Sequence, residues 1–237
     1  MRVVAGVCLF VCVAAGVGVS AGVGLALADP SPAIAIHDTP IRYDAERIAL
    51  TVAYRQAHQS SDLADQKITP RAIVVHYTGG HSRKASFAYF DRLRIEAERT
   101  LQKGAGEVNV SAHFLVDRDG TIYRLVPEDW MARHCIGLNH VAIGIENVGD
   151  GDKYPLTDAQ LHADAALVRD LVARHPTIDM LLGHHEYRRL EGSAYWLERD
   201  PKYRNQKPDP GPGFMKRLRA EVADLKLGEP PPPPKKK

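Results

Sequence analysis

Short apolar runs mark the strands that this sequence predicts. Residues 73–75, Ile-Val-Val, are β-branched and show no polar alternation, which is typical of a strand buried on both faces. Residues 141–146, Val-Ala-Ile-Gly-Ile-Glu, predict a second buried strand, and residues 178–182 predict a third. These strands form the expected centre of a sheet.

Helical periodicity fills the intervals between these strands. Apolar residues recur at helical spacing over residues 83–102, and Thr157 and Gln160 form a capping box that opens a helix continuing to residue 174. Residues 214–227 predict a last helix. Residues 41–58 fit either a short strand or a helix, and the pattern does not decide between them.

A hairpin is predicted over residues 113–125, because two apolar runs flank Asp119-Gly120, a strong turn signal. Strands that alternate with helices but include one hairpin favour an α/β fold. We expect a mixed central β-sheet with helices on both faces.

The ends of the chain differ in composition from its middle. Residues 1–28 combine Arg2, an uncharged apolar stretch and an Ala-x-Ala end, which predicts a cleaved signal peptide; a retained membrane anchor is the alternative. Residues 29–67 are interpreted as a linker or extension, 68–227 as the functional domain, and 228–237 as a Pro/Lys-rich tail. Cleavage would leave Cys135 as the one cysteine, without an internal disulfide.

The overall composition narrows the range of possible functions. The chain has 237 residues, a formal charge of +2 and 44% apolar residues, which suits a globular domain and gives no basic excess for binding nucleic acid. Its signal peptide predicts an exported protein, in the periplasm or outside the cell. A membrane contact is expected only if the N-terminal segment is retained.

Three predicted strands end at or next to residues that handle metals or protons: His76, Glu146 and His184. Strand ends can converge at one edge of a sheet. A catalytic zinc site needs three protein ligands, and Asp209, set between two prolines, is a candidate third ligand.

Each of these residues alone is more often structural, so the prediction depends on the combination. His185-Glu186 begins like a zincin helix motif, but Arg189 stands where that motif needs histidine. Cys135 beside His134 suggests a thiol nucleophile, which nothing else in the sequence supports.

Several ordered blocks together resemble the zinc-dependent N-acetylmuramoyl-L-alanine amidases, specifically their AmpD/AmiD-like branch, whose fold is shared with the peptidoglycan recognition proteins. The resemblance covers about residues 68–215. It rests on blocks at residues 73–78, 110–120, 130–134, 139–146, 183–184 and 207–211.

The resemblance implies one Zn²⁺ per chain, held by His76, His184 and Asp209, with His185 as an alternative second ligand. It implies that Glu146 acts on the attacking water and that Lys207 stabilises charge. Residues implied to line the substrate groove are His134, Asn139 and His113. The implied reaction is hydrolysis of the amide between N-acetylmuramic acid and L-alanine in peptidoglycan or its fragments. The alternatives are a non-catalytic peptidoglycan-binding module and a zinc hydrolase acting on another amide.

Overall fold

A six-stranded sheet organises residues 34–233, the part of the chain that the computed structural model describes. The strands are β1 (Ile36–Asp38), β2 (Ala72–Tyr77), β3 (Phe114–Val116), β4 (Ile122–Arg124), β5 (Ala142–Asn147) and β6 (Met180–Gly183). Their order is β1-β4-β3-β5-β2-β6, and every neighbouring pair is parallel except β3 with β4. The predicted mixed sheet is confirmed.

Helices cover both faces of this sheet, as predicted. They are α1 (Ala45–His58), α2 (Arg83–Asp91), α3 (Thr100–Gly104), α4 (Asp158–Arg174) and α5 (Pro212–Glu221), with 3₁₀ turns at His184–Leu190 and Ala223–Leu225. Helices α4 and α5 pack on the face that carries Ile73 and Ile143. Tyr54 of α1 packs on the opposite face, where Val74 and Leu182 lie. Within residues 34–233, no helix has the length and apolar character needed to cross a bilayer.

The hairpin and the capping box form as the sequence predicts. Strands β3 and β4 pair antiparallel around a turn in which Gly120 has a φ of +87°, a conformation that favours glycine. At the start of α4, the Thr157 side chain accepts from the Gln160 backbone N–H, and the Gln160 side chain accepts from the Thr157 backbone N–H.

The described part of the N-terminal extension contributes a strand and a helix to the fold, which corrects its interpretation as a linker. Strand β1 pairs with β4 at the edge of the sheet. The undecided segment 41–58 contains helix α1, which begins after the cap Asp44. Arg47 of this helix is fully buried, and its Nη2 donates to the carbonyls of Phe90, Asp91 and Arg92.

The single helix predicted over residues 83–102 is wrong. Helix α2 ends at Asp91, and the following segment is extended, with an antiparallel bridge between Arg94 and Val108. The Arg47 guanidinium satisfies carbonyls that the helix end leaves free. Helix α3 then forms a separate short turn.

The C-terminal elements also differ from their predicted bounds. Helix α5 ends at Glu221, so the last helix is shorter than the predicted 214–227. The tail begins docked rather than free, because Gly228 pairs beside β6: its N–H donates to the Asp179 carbonyl at 2.7 Å. The predicted signal peptide 1–28, the start of the extension and the last residues of the tail, 234–237, lie outside the described residues.

Parallel register brings the polar strand ends together. His76 of β2 lies directly beside Glu146 of β5, and Val75 of β2 lies beside Gly183, the last residue of β6. The chain therefore delivers His184 next to His76 at the carboxyl edge of the sheet.

A buried carboxyl under the sheet makes stability depend on pH. Asp164 of α4 is fully buried; its Oδ2 accepts from Asn147 at 2.8 Å, and its Oδ1 has no partner among the described residues. Burial raises the pKa of Asp164 to about 8 from an ordinary 3.8. The folded protein therefore holds a proton that the unfolded chain releases, so this group lowers stability as pH rises from about 4 to about 8.

The wild type should lose unfolding free energy as pH rises from acidic to mildly basic values. In Asp164→Asn we expect this loss to be smaller, by on the order of a few kcal/mol. Urea unfolding of both proteins at several pH values measures this difference. Asp170→Asn is the control, because Asp170 lies on the same helix in a partly exposed ion pair with Arg174. Equal pH dependence in the wild type and Asp164→Asn would contradict the assignment.

Candidate metal centre and active site

Three donor atoms converge where the strands end. His76 Nδ1 lies 2.8 Å from His184 Nδ1, and Asp209 Oδ2 lies 3.1 Å from His76 Nδ1 and 2.9 Å from His184 Nδ1. All three residues are at least 95% buried. Strand β2 supplies the first, the residue after β6 supplies the second, and the loop before α5 supplies the third.

This donor set fits a metal ion. Tetrahedral bonds of about 2.0–2.2 Å place ligand atoms about 3.3–3.5 Å apart, so the observed spacing needs only a small outward shift. His76, His184 and Asp209 are the group of possible ligands that the described residues bring together. Two imidazole nitrogens and one carboxylate oxygen at this distance repel one another unless a cation or proton lies between them, and such a mixed N/O set suits zinc.

The protonation states favour cation binding. Burial lowers the pKa of His184 to about 3, and the neighbouring His76 adds to that effect. Burial alone would raise the pKa of Asp209, but the close imidazoles of His184 and His76 outweigh it and hold this pKa well below its usual range. The centre therefore presents neutral His184 and an ionised carboxylate, the forms that bind metals.

His134 orients one of these ligands from behind. Its Nε2 lies 3.1 Å from the Ala142 carbonyl, which can only accept, so this nitrogen carries the proton. His134 Nδ1 then accepts from His76 Nε2 at 3.1 Å. This pattern assigns the His76 proton to Nε2 and leaves the Nδ1 lone pair facing the centre.

The neutral state of His134 and the space for its ring both come from packing. Burial lowers the pKa of His134 well below its usual range, and the nearby imidazoles lower it further. A Cβ on Gly144 would lie 2.7 Å from the ring, so the glycine in the middle of β5 makes room for it.

Glu146 stands beside the centre as a proton acceptor. Burial raises the pKa of Glu146 to about 7, and the nearby Asp209 charge contributes in the same direction. Its Oε2 is buried without a hydrogen-bond partner among the described residues, while the residue lines the cleft. A carboxyl with a pKa close to neutral is suited to general acid–base chemistry.

A cleft of about 510 Å³ opens over this group and is lined by His76, Glu146, His184 and Asp209. Lys207 also lines it, is partly exposed and forms no ion pair within residues 34–233. The structure therefore brings together the predicted ligands, Glu146, Lys207 and His134. The volume of this cleft suits a small polar ligand or a short peptide segment.

The structure contradicts the prediction that His113 contacts the substrate. It is fully buried; its Nε2 donates to the Trp130 carbonyl at 2.8 Å, and its Nδ1 accepts from the Gly144 N–H at 2.9 Å. Burial lowers its pKa to about 4. Both nitrogens are used inside the fold, so His113 supports β5 and cannot reach a substrate.

The amide of Asn139 is likewise used within the fold, although the residue also lines a recess of about 40 Å³ beside the cleft. Its Oδ1 accepts from the backbone N–H groups of His134 and Cys135, and its Nδ2 donates to the Tyr54 hydroxyl. The side chain is 2% exposed. Asn139 therefore fixes the loop that presents His134.

The alternatives involving His185 and Cys135 lose support. The ring of His185 faces the Asp209 carbonyl, with Nδ1 at 3.1 Å from that oxygen, and it is outside the three-donor group. Cys135 is buried, and burial raises the pKa of its thiol well above its usual range, which opposes a nucleophilic role.

Sequence reasoning missed three residues that line the cleft, one in α2, one in the segment after it and one in a later loop. Arg99 and Tyr89 line the cleft, and Arg133 lines it from the loop before β5. The helical pattern predicted over residues 83–102 gave Arg99 no role in a site. No signal in the sequence indicates that these side chains line a cleft, because a charged or aromatic residue does not reveal which way its side chain points.

An α/β sheet that carries two histidines, an aspartate and a glutamate on the floor of one cleft has the donor set of a metal-dependent hydrolase site. The chain belongs to the Amidase_2 family, described as N-acetylmuramoyl-L-alanine amidase, which matches residues 65–212. The expected resemblance to this family is confirmed.

Two curated relatives illustrate the range of similarity. A 1,6-anhydro-N-acetylmuramyl-L-alanine amidase AmpD of Salmonella typhimurium (strain SL1344) is 36% identical over 126 residues, which are 49% of this chain and 59% of that protein. Peptidoglycan-recognition protein SC2 of Drosophila simulans is 28% identical over 130 residues, covering 53% of this chain and 70% of that protein. The chain thus spans somewhat more than half the length of the AmpD relative.

The fold is also found among solved structures. N-acetylmuramoyl-L-alanine amidase LysC from Clostridium intestinale URNW is 22% identical, with a TM-score of 0.51, and the alignment covers 83% of this chain and 100% of that chain. This similarity agrees with the sheet order and the two helical layers described above.

We expect His134→Ala to weaken Zn²⁺ binding by about 10- to 100-fold, because His76 loses the partner that fixes its tautomer and ring direction. Competition with a chromogenic chelator measures the affinity, and thermal melting checks that the fold persists. His162→Ala on the exposed side of α4 is the control. Unchanged affinity in a folded His134→Ala variant would contradict this role.

Proposed function

We propose that this chain is a zinc-dependent N-acetylmuramoyl-L-alanine amidase. It hydrolyses the amide that joins the lactyl group of N-acetylmuramic acid to L-alanine, in peptidoglycan or its fragments. The observation that carries the proposal is the placement of a metal-ligand triad and a neutral-range glutamate in one cleft of a chain that belongs to the amidase family.

His76, His184 and Asp209 would hold the zinc ion. When bound, zinc supplies Lewis acidity toward the amide carbonyl and lowers the pKa of water to about 7. The residues present match this role in type, charge state and spacing. His134 supports it by keeping the His76 Nδ1 lone pair directed at the centre.

Glu146 moves the protons of the reaction. It takes a proton from the attacking water and returns it to the nitrogen of the leaving L-alanine, so that the amine departs neutral. Because Oε2 is buried, Oε1 is the oxygen that exchanges this proton with the cleft. The raised pKa allows the carboxyl to release the proton as readily as it accepts it.

Lys207 stabilises the negative charge that develops on the carbonyl oxygen. It lines the same cleft as the triad and Glu146. An ammonium group that has no ion-pair partner among the described residues can turn toward that charge without breaking an existing bond.

The proposed site of action is outside the cytoplasmic membrane. The composition of residues 1–28 supports export through a cleaved signal peptide. The substrate is then the wall peptidoglycan, or fragments released from it, in the periplasm or at the cell wall.

We expect purified peptidoglycan incubated with the protein to release free stem peptides that begin at L-alanine, and a chelator to abolish this release. Glu146→Gln should lower the rate by at least about 100-fold because it removes proton transfer, while leaving Zn²⁺ binding near the wild-type level. Mass spectrometry of the released peptides and chelator competition measure the two effects.

Glu191→Gln is the matched control, since Glu191 forms ion pairs with Arg188 and Arg204 away from the cleft. Full activity in Glu146→Gln would overturn the role of this residue. Intact peptidoglycan that retains bound protein would instead support a non-catalytic binding module.

The pH dependence of kcat/KM should show an acid limb set by Glu146, because only the ionised carboxylate accepts a proton. Its pKa is about 7 without a bound cation, and a nearby positive charge lowers it toward the ordinary 4.5. We therefore expect the midpoint between these values, with activity falling as pH decreases. A rate that rises with acidity across this interval would contradict the assignment.

A further inference from the structure

We propose that Arg99 binds a free carboxylate of the substrate peptide, the α-carboxylate of a γ-linked glutamate that follows L-alanine, and so makes the enzyme select substrates in which this group is charged. This inference rests on the proposed amidase function and adds a specificity-determining residue to it.

Arg99 stands at the right place for such a contact. It immediately precedes α3 and lines the cleft above the metal-ligand triad. It also lines an adjoining recess of about 40 Å³, together with His184 and Lys207. A single small recess therefore contacts both a metal ligand and this guanidinium.

The guanidinium is positioned but not neutralised. Its Nη1 donates to the Tyr89 hydroxyl at 2.6 Å, and within residues 34–233 it forms no ion pair with a carboxylate. The Tyr89 hydroxyl in turn donates to Glu96, whose carboxylate is paired with Arg92. Tyr89 thus orients Arg99 and lies between it and Glu96.

An arginine held in this way keeps N–H donors that can bind a carboxylate. Guanidinium carries five N–H donors in one plane, and Arg99 uses one of them on a side chain. The others can form the paired, charge-assisted hydrogen bonds that arginine makes with carboxylates.

The other charged groups of the cleft already have partners in the fold or roles in the proposed reaction. Arg133 is 2% exposed and donates to the carbonyls of Gly106 and Val108. Lys207, Glu146 and Asp209 belong to the proposed reaction. Arg99 is therefore the cleft cation that neither the fold nor the reaction uses.

The chemistry of the substrate supplies a matching anion. Glutamate linked through its γ-carboxyl keeps its α-carboxylate free, and that group lies about two residue lengths, roughly 7 Å, from the scissile amide. The recess that His184 and Arg99 both line adjoins the cleft in which that amide would lie. Converting this carboxylate to a carboxamide removes the charge with little change of shape.

The test compares two muropeptides that differ only in this group, one with the carboxylate and one with the carboxamide. We expect the wild type to show a kcat/KM at least about 10-fold higher for the carboxylate form, the scale of a charged hydrogen bond. Arg99→Gln should lose this preference. Its kcat/KM for the carboxylate substrate should fall to the value for the carboxamide substrate, while its kcat/KM for the carboxamide stays at the wild-type value. Tyr89→Phe should reduce the preference in part.

Arg92→Gln is the matched control, because Arg92 lies on the same segment, exposes 60% of its side chain and pairs with Glu96. Equal kcat/KM on both substrates in the wild type, or a preference that survives in Arg99→Gln, would overturn the inference and leave the amidase function intact. An equal loss on both substrates in Arg99→Gln would also overturn it. Failure of the wild type to cleave either substrate would contradict the proposed function itself, and the inference with it.

Discussion

The parallel register of β2 with β5 and β6 is the constraint on which the site depends. It sets His76 beside Glu146 and brings His184 next to His76 at one edge of the sheet. A shift of one residue in either pair would turn these side chains to the opposite face, into the layer covered by α4 and α5. The apolar residues that fix the register, such as Ile73 and Ile143, are therefore as necessary to the site as its polar groups.

A polar layer between the sheet and α1 converts this register into a defined geometry. His134 fixes the tautomer of His76, Asn139 holds the loop that carries His134, and Tyr54 accepts from Asn139. The side-chain nitrogens and oxygens of His134, Asn139 and Tyr54 all have partners, so this layer avoids the cost of unsatisfied groups. Glu146, beside this layer, differs from it because its buried Oε2 has no hydrogen-bond partner among the described residues.

Sequence reasoning succeeded where apolar periodicity and strand ends carry the signal. Three strand ends and one proline-flanked aspartate made a metal site a candidate, and the resemblance to the amidase family implied the triad that the structure brings together. It failed for α1, whose buried face includes Arg47, Arg55 and His58 and so shows no apolar stripe. It also failed for His113 and Asn139, because a polar residue in the sequence does not reveal whether its hydrogen-bond partners are a substrate or the fold.

The measurement that tests the account most directly is a crystal structure of the zinc-loaded protein with anomalous data collected at the zinc edge. The account predicts one peak at about 2.0–2.2 Å from His76 Nδ1, His184 Nδ1 and Asp209 Oδ2. A peak coordinated by His185 instead of His184, or zinc bound elsewhere with this triad left without a metal, would contradict it.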